Sequence, residues 1–144
     1  MVKKVLFICV HNSARSQMAE AFLRHYGGED YIAESAGLEP TSLDPYVVEA
    51  MKERGIDISG QEAKSVFDIV RSGRLFNRVI TVCDDAASER CPIFPGVTYR
   101  IHWPFPDPTA IDGTHEQRMS FTRQVRDQIE EKIKNFVEHD TDCC

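Results

Sequence analysis

The residues Val5-Leu6-Phe7-Ile8 form an uninterrupted apolar run, and the chain then passes at once into Cys9-Val10-His11-Asn12-Ser13-Ala14-Arg15-Ser16, which is almost wholly polar or small. No other feature constrains the fold as much. A strand over Lys4 to Val10 with apolar side chains on both faces needs cover on both, the condition of an inner strand in a parallel sheet. Parallel strands are joined only by crossovers, and the sequence after the turn supplies one. Met18, Ala19, Phe22 and Tyr26 fall on one helical face between Ser16 and Tyr26, and Gly27-Gly28 stops the helix.

The alternation continues. Tyr31 to Ala36 reads as a second strand ended by Gly37. Asp44-Pro45 opens a helix, with a capping carboxylate followed by proline in the first turn; Val47, Val48 and Met51 form its buried stripe and Gly55 closes it. Ser65 to Ser72 suits a short helix. Arg78 to Val82 is a third buried strand ending at Cys83, and Val97 to His102 a fourth. Thr114 with Gln117 has the spacing of a capping box. The long helix it starts has Phe121, Val125, Ile129, Ile133, Phe136 and Val137 on its inner face. The expectation is an α/β, single-domain three-layer sandwich: a four-stranded parallel sheet with helices on both faces. Residues 1–138 form the domain and 139–144 a polar tail.

Composition narrows the functional classes. A chain of 144 residues with 42% hydrophobic and 28% charged side chains suits one globular domain. Seventeen basic against twenty-three acidic side chains give a net charge of −6, which argues against nucleic acid or anionic membrane as partner. The apolar run near the N-terminus is too short for a secretory signal or a membrane span. A cytoplasmic protein is expected, in which five cysteines, at 9, 83, 91, 143 and 144, stay thiols unless given a redox or metal task.

Chemistry concentrates in Cys9-x5-Arg15-Ser16. A loop between a buried strand and a helix aims backbone N–H groups, and the positive end of the helix dipole, at one point. That cavity suits a tetrahedral oxyanion, and the planar fork of Arg15 can hold two of its oxygens. The same field favours the thiolate of Cys9, and Ser16 can donate a hydrogen bond to it. Asn12 and Ser13 are suited to bracing the loop. The competing reading is a buried structural cysteine beside a surface arginine; strand before and helix after favour an anion cradle with a sulfur nucleophile.

The segment CVHNSARS followed by QMAEAF resembles the phosphate loop of low-molecular-weight tyrosine phosphatases and of the arsenate reductases that share their fold. The likeness runs from Lys3 to about Val137 and includes Ser35-Ala36-Gly37 and Gly55-Ile56-Asp57-Ile58-Ser59. It implies that the loop residues His11, Asn12, Ser13, Ala14 and Ser16 bind the oxyanion with Arg15, and that Asp107, in Asp107-Pro108, is the general acid. Flanking prolines restrict the acid's backbone. The phosphatases place tyrosines after Asp-Pro, whereas this chain has Thr109-Ala110-Ile111, which counts against phosphotyrosine.

The segment from Cys83 to Cys91-Pro92, with the later His102-Trp103, resembles the redox segment of thioredoxin-coupled arsenate reductases. Its polar sequence suggests a mobile loop, with Cys91 an unlikely core residue; buried cysteines or a zinc pair are the competing readings. The resemblance implies arsenate reduction by a relay through Cys9, Cys83 and Cys91. No bound cofactor or metal is expected, reducing equivalents come from thioredoxin, and the chain acts as a monomer. Related reductases hold an alkali cation with Asn, Glu, Ser and Asp; Asn12, Glu20 and Ser35 match, and Lys64 stands where the aspartate would be, its ammonium expected on the same oxygens. His11 either touches substrate or faces solvent, Asp84 and Asp85 are expected to face solvent, and Cys143-Cys144 to form a passive tail. A phosphatase acting on phosphotyrosine or a small ester, and a non-catalytic anion or arsenite sensor, are the alternatives.

Overall fold

The computed structural model describes residues 2–84, 87, 89–92, 94 and 99–139. In chain order these form β1 (Lys3–Cys9), α1 (Arg15–Gly27), β2 (Tyr31–Gly37), α2 (Pro45–Lys52), α3 (Val66–Arg71), β3 (Arg78–Thr81), β4 (Tyr99–His102) and α4 (His115–His139). The sheet has the order β2-β1-β3-β4, and every pairing is parallel. Val5 to Cys9 and Arg78 to Thr81 are buried without alternation, so both faces of the two central strands are covered. The α/β sandwich expected from the sequence is the fold observed.

Local chemistry accounts for the element starts. Asp44 accepts hydrogen bonds from the amides of Tyr46 and Val47 at 2.8 and 3.2 Å, and Pro45 follows it. Thr114 and Gln117 bond reciprocally: Gln117 Oε1 accepts from the Thr114 amide at 2.9 Å and Thr114 Oγ1 from the Gln117 amide at 3.2 Å. Helix α4 packs on α1 and α2, and its buried residues are Met119, Thr122, Val125, Arg126, Ile129, Glu130 and Ile133. Phe121, Phe136 and Val137 lie at the margin of that face, half-buried. The helix runs through His139; Cys143 and Cys144 lie outside the described residues, as do Asp85 and the expected first residues of β4, Val97 and Thr98.

Two registers position the chemistry. Ile8 is opposite Thr81, and the Val82 amide donates to the Ile8 carbonyl at 2.8 Å. The chain therefore leaves β1 at Cys9 and β3 at Thr81, two residues before Cys83, along one carboxyl edge, where open α/β sheets place their ligands. On the other side Cys9 is opposite Gly37, so the segment after β2 runs beside the loop after β1.

Candidate active site

The loop between Cys9 and Arg15 is gripped from outside. The amides of Leu38, Glu39, Thr41 and Asp44 donate to the carbonyls of Cys9, Val10, His11 and Ser13 at 3.1, 2.7, 3.0 and 3.0 Å. Gln17 Nε2 takes the carbonyl of Asn12 at 2.9 Å. In a trans peptide a carbonyl and the next N–H point in opposite directions, and no described peptide bond is cis. Carbonyls drawn outward thus turn the amides from Val10 to Ala14 toward the concave side. Asn12, at φ 52°, supplies the left-handed step that curls the loop into an anion nest.

Asn12 is the brace. It is fully buried, its Oδ1 accepts the Lys64 amide at 2.8 Å, and its Nδ2 donates to Ser16 Oγ at 2.8 Å. Ser16 Oγ lies 2.9 Å from Cys9 Sγ. Because that oxygen already accepts from Asn12, its own hydrogen is free for the sulfur, the arrangement that stabilises a thiolate. Ser13 contributes its carbonyl, and Ala14 is buried beneath the helix start. His11 is half-buried with Nδ1 3.0 Å from the Glu39 carbonyl.

Arg15 and Asp107 come together from residues far apart in the chain. Arg15 is 5% exposed, so its charge is screened little by water. Its Nη1 donates to the Phe105 carbonyl at 3.1 Å, and its Nη2 lies 3.7 Å from Asp107 Oδ2. The other carboxylate oxygen, Oδ1, accepts from the Thr109 amide at 2.9 Å and the Thr109 hydroxyl at 2.7 Å.

Cys83 is fully buried, yet it faces the cradle electrostatically. Burial pushes its thiol up to about 11, the nearby Cys9 charge acts in the same direction, and the Arg15 guanidinium pulls the other way. Cys91 departs from expectation. It is 8% exposed and belongs, with Ala87 and Phe94, to the hydrophobic core. Burial raises its thiol against the pull of Arg100, whose Nη2 donates to the Cys91 carbonyl at 3.4 Å. The sequence between the cysteines looked free of apolar anchors because Ala87 is small and Phe94 lies past Cys91. Asp84 is exposed, as expected, and its Oδ1 accepts the Ala87 amide at 2.8 Å.

A family model described as low molecular weight phosphotyrosine protein phosphatase matches residues 4–141. The chain belongs to this family. An arsenate reductase of Bacillus subtilis (strain 168) is 44% identical over 138 residues that cover 94% of this chain and 96% of the relative. A solved arsenate reductase in a phosphate binding state superposes with a TM-score of 0.78 at 30% identity, covering 95% of this chain and 98% of that one. A thioredoxin-dependent arsenate reductase of Corynebacterium glutamicum gives a TM-score of 0.66 at 32% identity, covering 95% of this chain and 62% of that longer one.

One expectation drawn from the family's reductases is corrected. Lys64 Nζ does not reach the oxygens of Asn12, Glu20 and Ser35; it lies 3.5 Å from Glu34 Oε1, and Arg74 pairs with the same carboxylate. Glu20 instead accepts from Ser35 Oγ at 2.8 Å and pairs with Arg24 at 3.0 Å. Protein donors reach the side-chain oxygens of Asn12 and Glu20, and Ser35 Oγ is itself one of those donors. No described helix is long and apolar enough to cross a membrane. Sequence reasoning missed Gln17, which is fully buried and also donates to the Glu62 carbonyl at 3.0 Å while accepting from Gln61 at 2.6 Å. Its only sequence signal is its position beside Ser16 at the loop's exit.

Proposed function

We propose that this chain reduces arsenate to arsenite through a three-cysteine relay with thioredoxin as electron donor. The family relationship to arsenate reductases across nearly the whole chain supports the reaction, and the thioredoxin-dependent relative supports the donor. The observation that carries the relay is Cys83 at the carboxyl edge of the strand beside Cys9, coupled electrostatically to Cys9 and Arg15.

The cradle of amides and Arg15 binds the oxyanion. Cys9 thiolate attacks arsenic; an As–O bond breaks, and the oxygen departs as water with a proton from Asp107. Cys83 thiolate then attacks Cys9 sulfur. The S–As bond breaks with its electron pair remaining on arsenic, so arsenite leaves and a Cys9–Cys83 disulfide forms. Cys91 thiolate attacks Cys83 and expels Cys9 thiolate, leaving a Cys83–Cys91 disulfide that a dithiol reduces. We assign the reaction to a monomer in the reducing cytoplasm, with residues 1–138 as the working domain.

The phosphatase reading has the same cradle and acid behind it, and Thr109-Ala110-Ile111 in place of tyrosines weighs against it. A sensor would need neither Asp107 nor a second thiol. The test is arsenate-dependent NADPH oxidation coupled through thioredoxin and its reductase, run beside hydrolysis of p-nitrophenyl phosphate. Robust arsenate turnover that is lost in Cys83→Ser and Cys91→Ser supports the relay; arsenate turnover surviving either substitution excludes it.

A further inference from the structure

We infer that Thr109 is a positioning residue which, through its side-chain hydroxyl, decides which oxygen of Asp107 carries the proton. The inference rests on the acid role proposed above for Asp107. Thr109 places two donors on Oδ1, its amide at 2.9 Å and its hydroxyl at 2.7 Å. An oxygen whose lone pairs are aimed at two donor hydrogens has no room for a third, so the proton goes to Oδ2. Oδ2 is the oxygen facing the cradle, 3.7 Å from Arg15 Nη2. When the Cys9–arsenic bond forms and an As–O bond breaks, the Oδ2 proton leaves with the departing oxygen as water, and Asp107 is left as carboxylate with both Thr109 donors in place.

The hydroxyl is not needed to form the turn. The Ala110 amide donates to the Asp107 carbonyl at 3.2 Å, closing the turn through the backbone, and Pro108 fixes its second residue. The Thr109 side chain is exposed and has no core to fill. A valine of the same shape keeps the turn and the amide bond, and removes only the second donor.

The same acid serves any leaving oxygen in this cradle, so the test uses aryl phosphates. In Thr109→Val the kcat/KM for phenyl phosphate, whose leaving group needs a proton, should fall about tenfold, a fraction of what a positioned acid contributes. For p-nitrophenyl phosphate, whose leaving group departs readily, the loss should stay below about twofold, and inhibition by inorganic phosphate should be unchanged. Thr109→Ser should bring phenyl phosphate back to within about twofold of wild type. Equal losses on both esters, no loss on phenyl phosphate, or a serine variant as impaired as valine would each overturn the assignment. A wild-type protein that cleaves both esters but never reduces arsenate would end the reductase reading and leave the Thr109 result standing.

Discussion

Gly37 shows how little space single residues leave around the cradle. A Cβ there would sit 2.8 Å from both the Asn12 amide nitrogen and the Val10 carbonyl oxygen, so the end of β2 approaches the loop backbone to backbone. Gly37→Ala should therefore cost about 1–3 kcal/mol and loosen inorganic phosphate, measured by chemical denaturation and by competitive inhibition. Cys83 carries a second prediction. Held at about 11 by burial, it is mostly thiol at neutral pH, so the sulfur-to-sulfur step should accelerate with pH by roughly tenfold per unit until that range is approached. Rapid-quench measurement of arsenite release in a single turnover without thioredoxin reads that step; a flat pH profile would contradict the account. At this scale the meeting of Cys9 and Ser16 at one loop was legible because strand, loop and helix set it locally. The partner of Lys64 was not, since Glu34, which Arg74 also pairs with, reaches it only through the fold.

Helices declare their own starts but not their neighbours. Asp44-Pro45 and Thr114 with Gln117 cap α2 and α4 through contacts within three residues, which is why both were readable. What joins these two helices is a charged seam: Glu53 accepts from Arg123 and Arg126, and Arg126 Nη1 also donates to the Ala50 carbonyl at 2.9 Å. The Arg123 contact, with that of Arg126, holds the Glu53 carboxyl at about 2, below its ordinary 4.5. A folded value below the unfolded one means stability that is present above about 4.5 and lost as pH falls toward 2. Wild type should thus be more stable than Glu53→Gln at neutral pH, by no more than about 1 kcal/mol at so exposed a pair, and the gap should close on acidification. Urea titrations of both proteins at several pH values measure it; a gap that stays constant with pH would remove the seam from the account.

Across the whole molecule, parallel order brings the ends of β1 and β3 to one edge, and this is the property the proposed relay depends on. The sheet and its crossovers were legible because apolar runs without alternation have few other solutions. The place of Cys91 was not, because it joins a core assembled from residues far from it in sequence. A thiol 8% exposed must leave that cover before a disulfide with Cys83 can reach an external donor, so the relay requires the segment to open after the first sulfur transfer. Trapping the step before that opening addresses the central claim directly. Cys91→Ser, given arsenate and no donor, should release one arsenite per chain and accumulate a Cys9–Cys83 disulfide, identified by mass spectrometry of the alkylated, digested protein. Arsenite release with Cys83 still alkylatable, or a disulfide that joins any other pair, would contradict it.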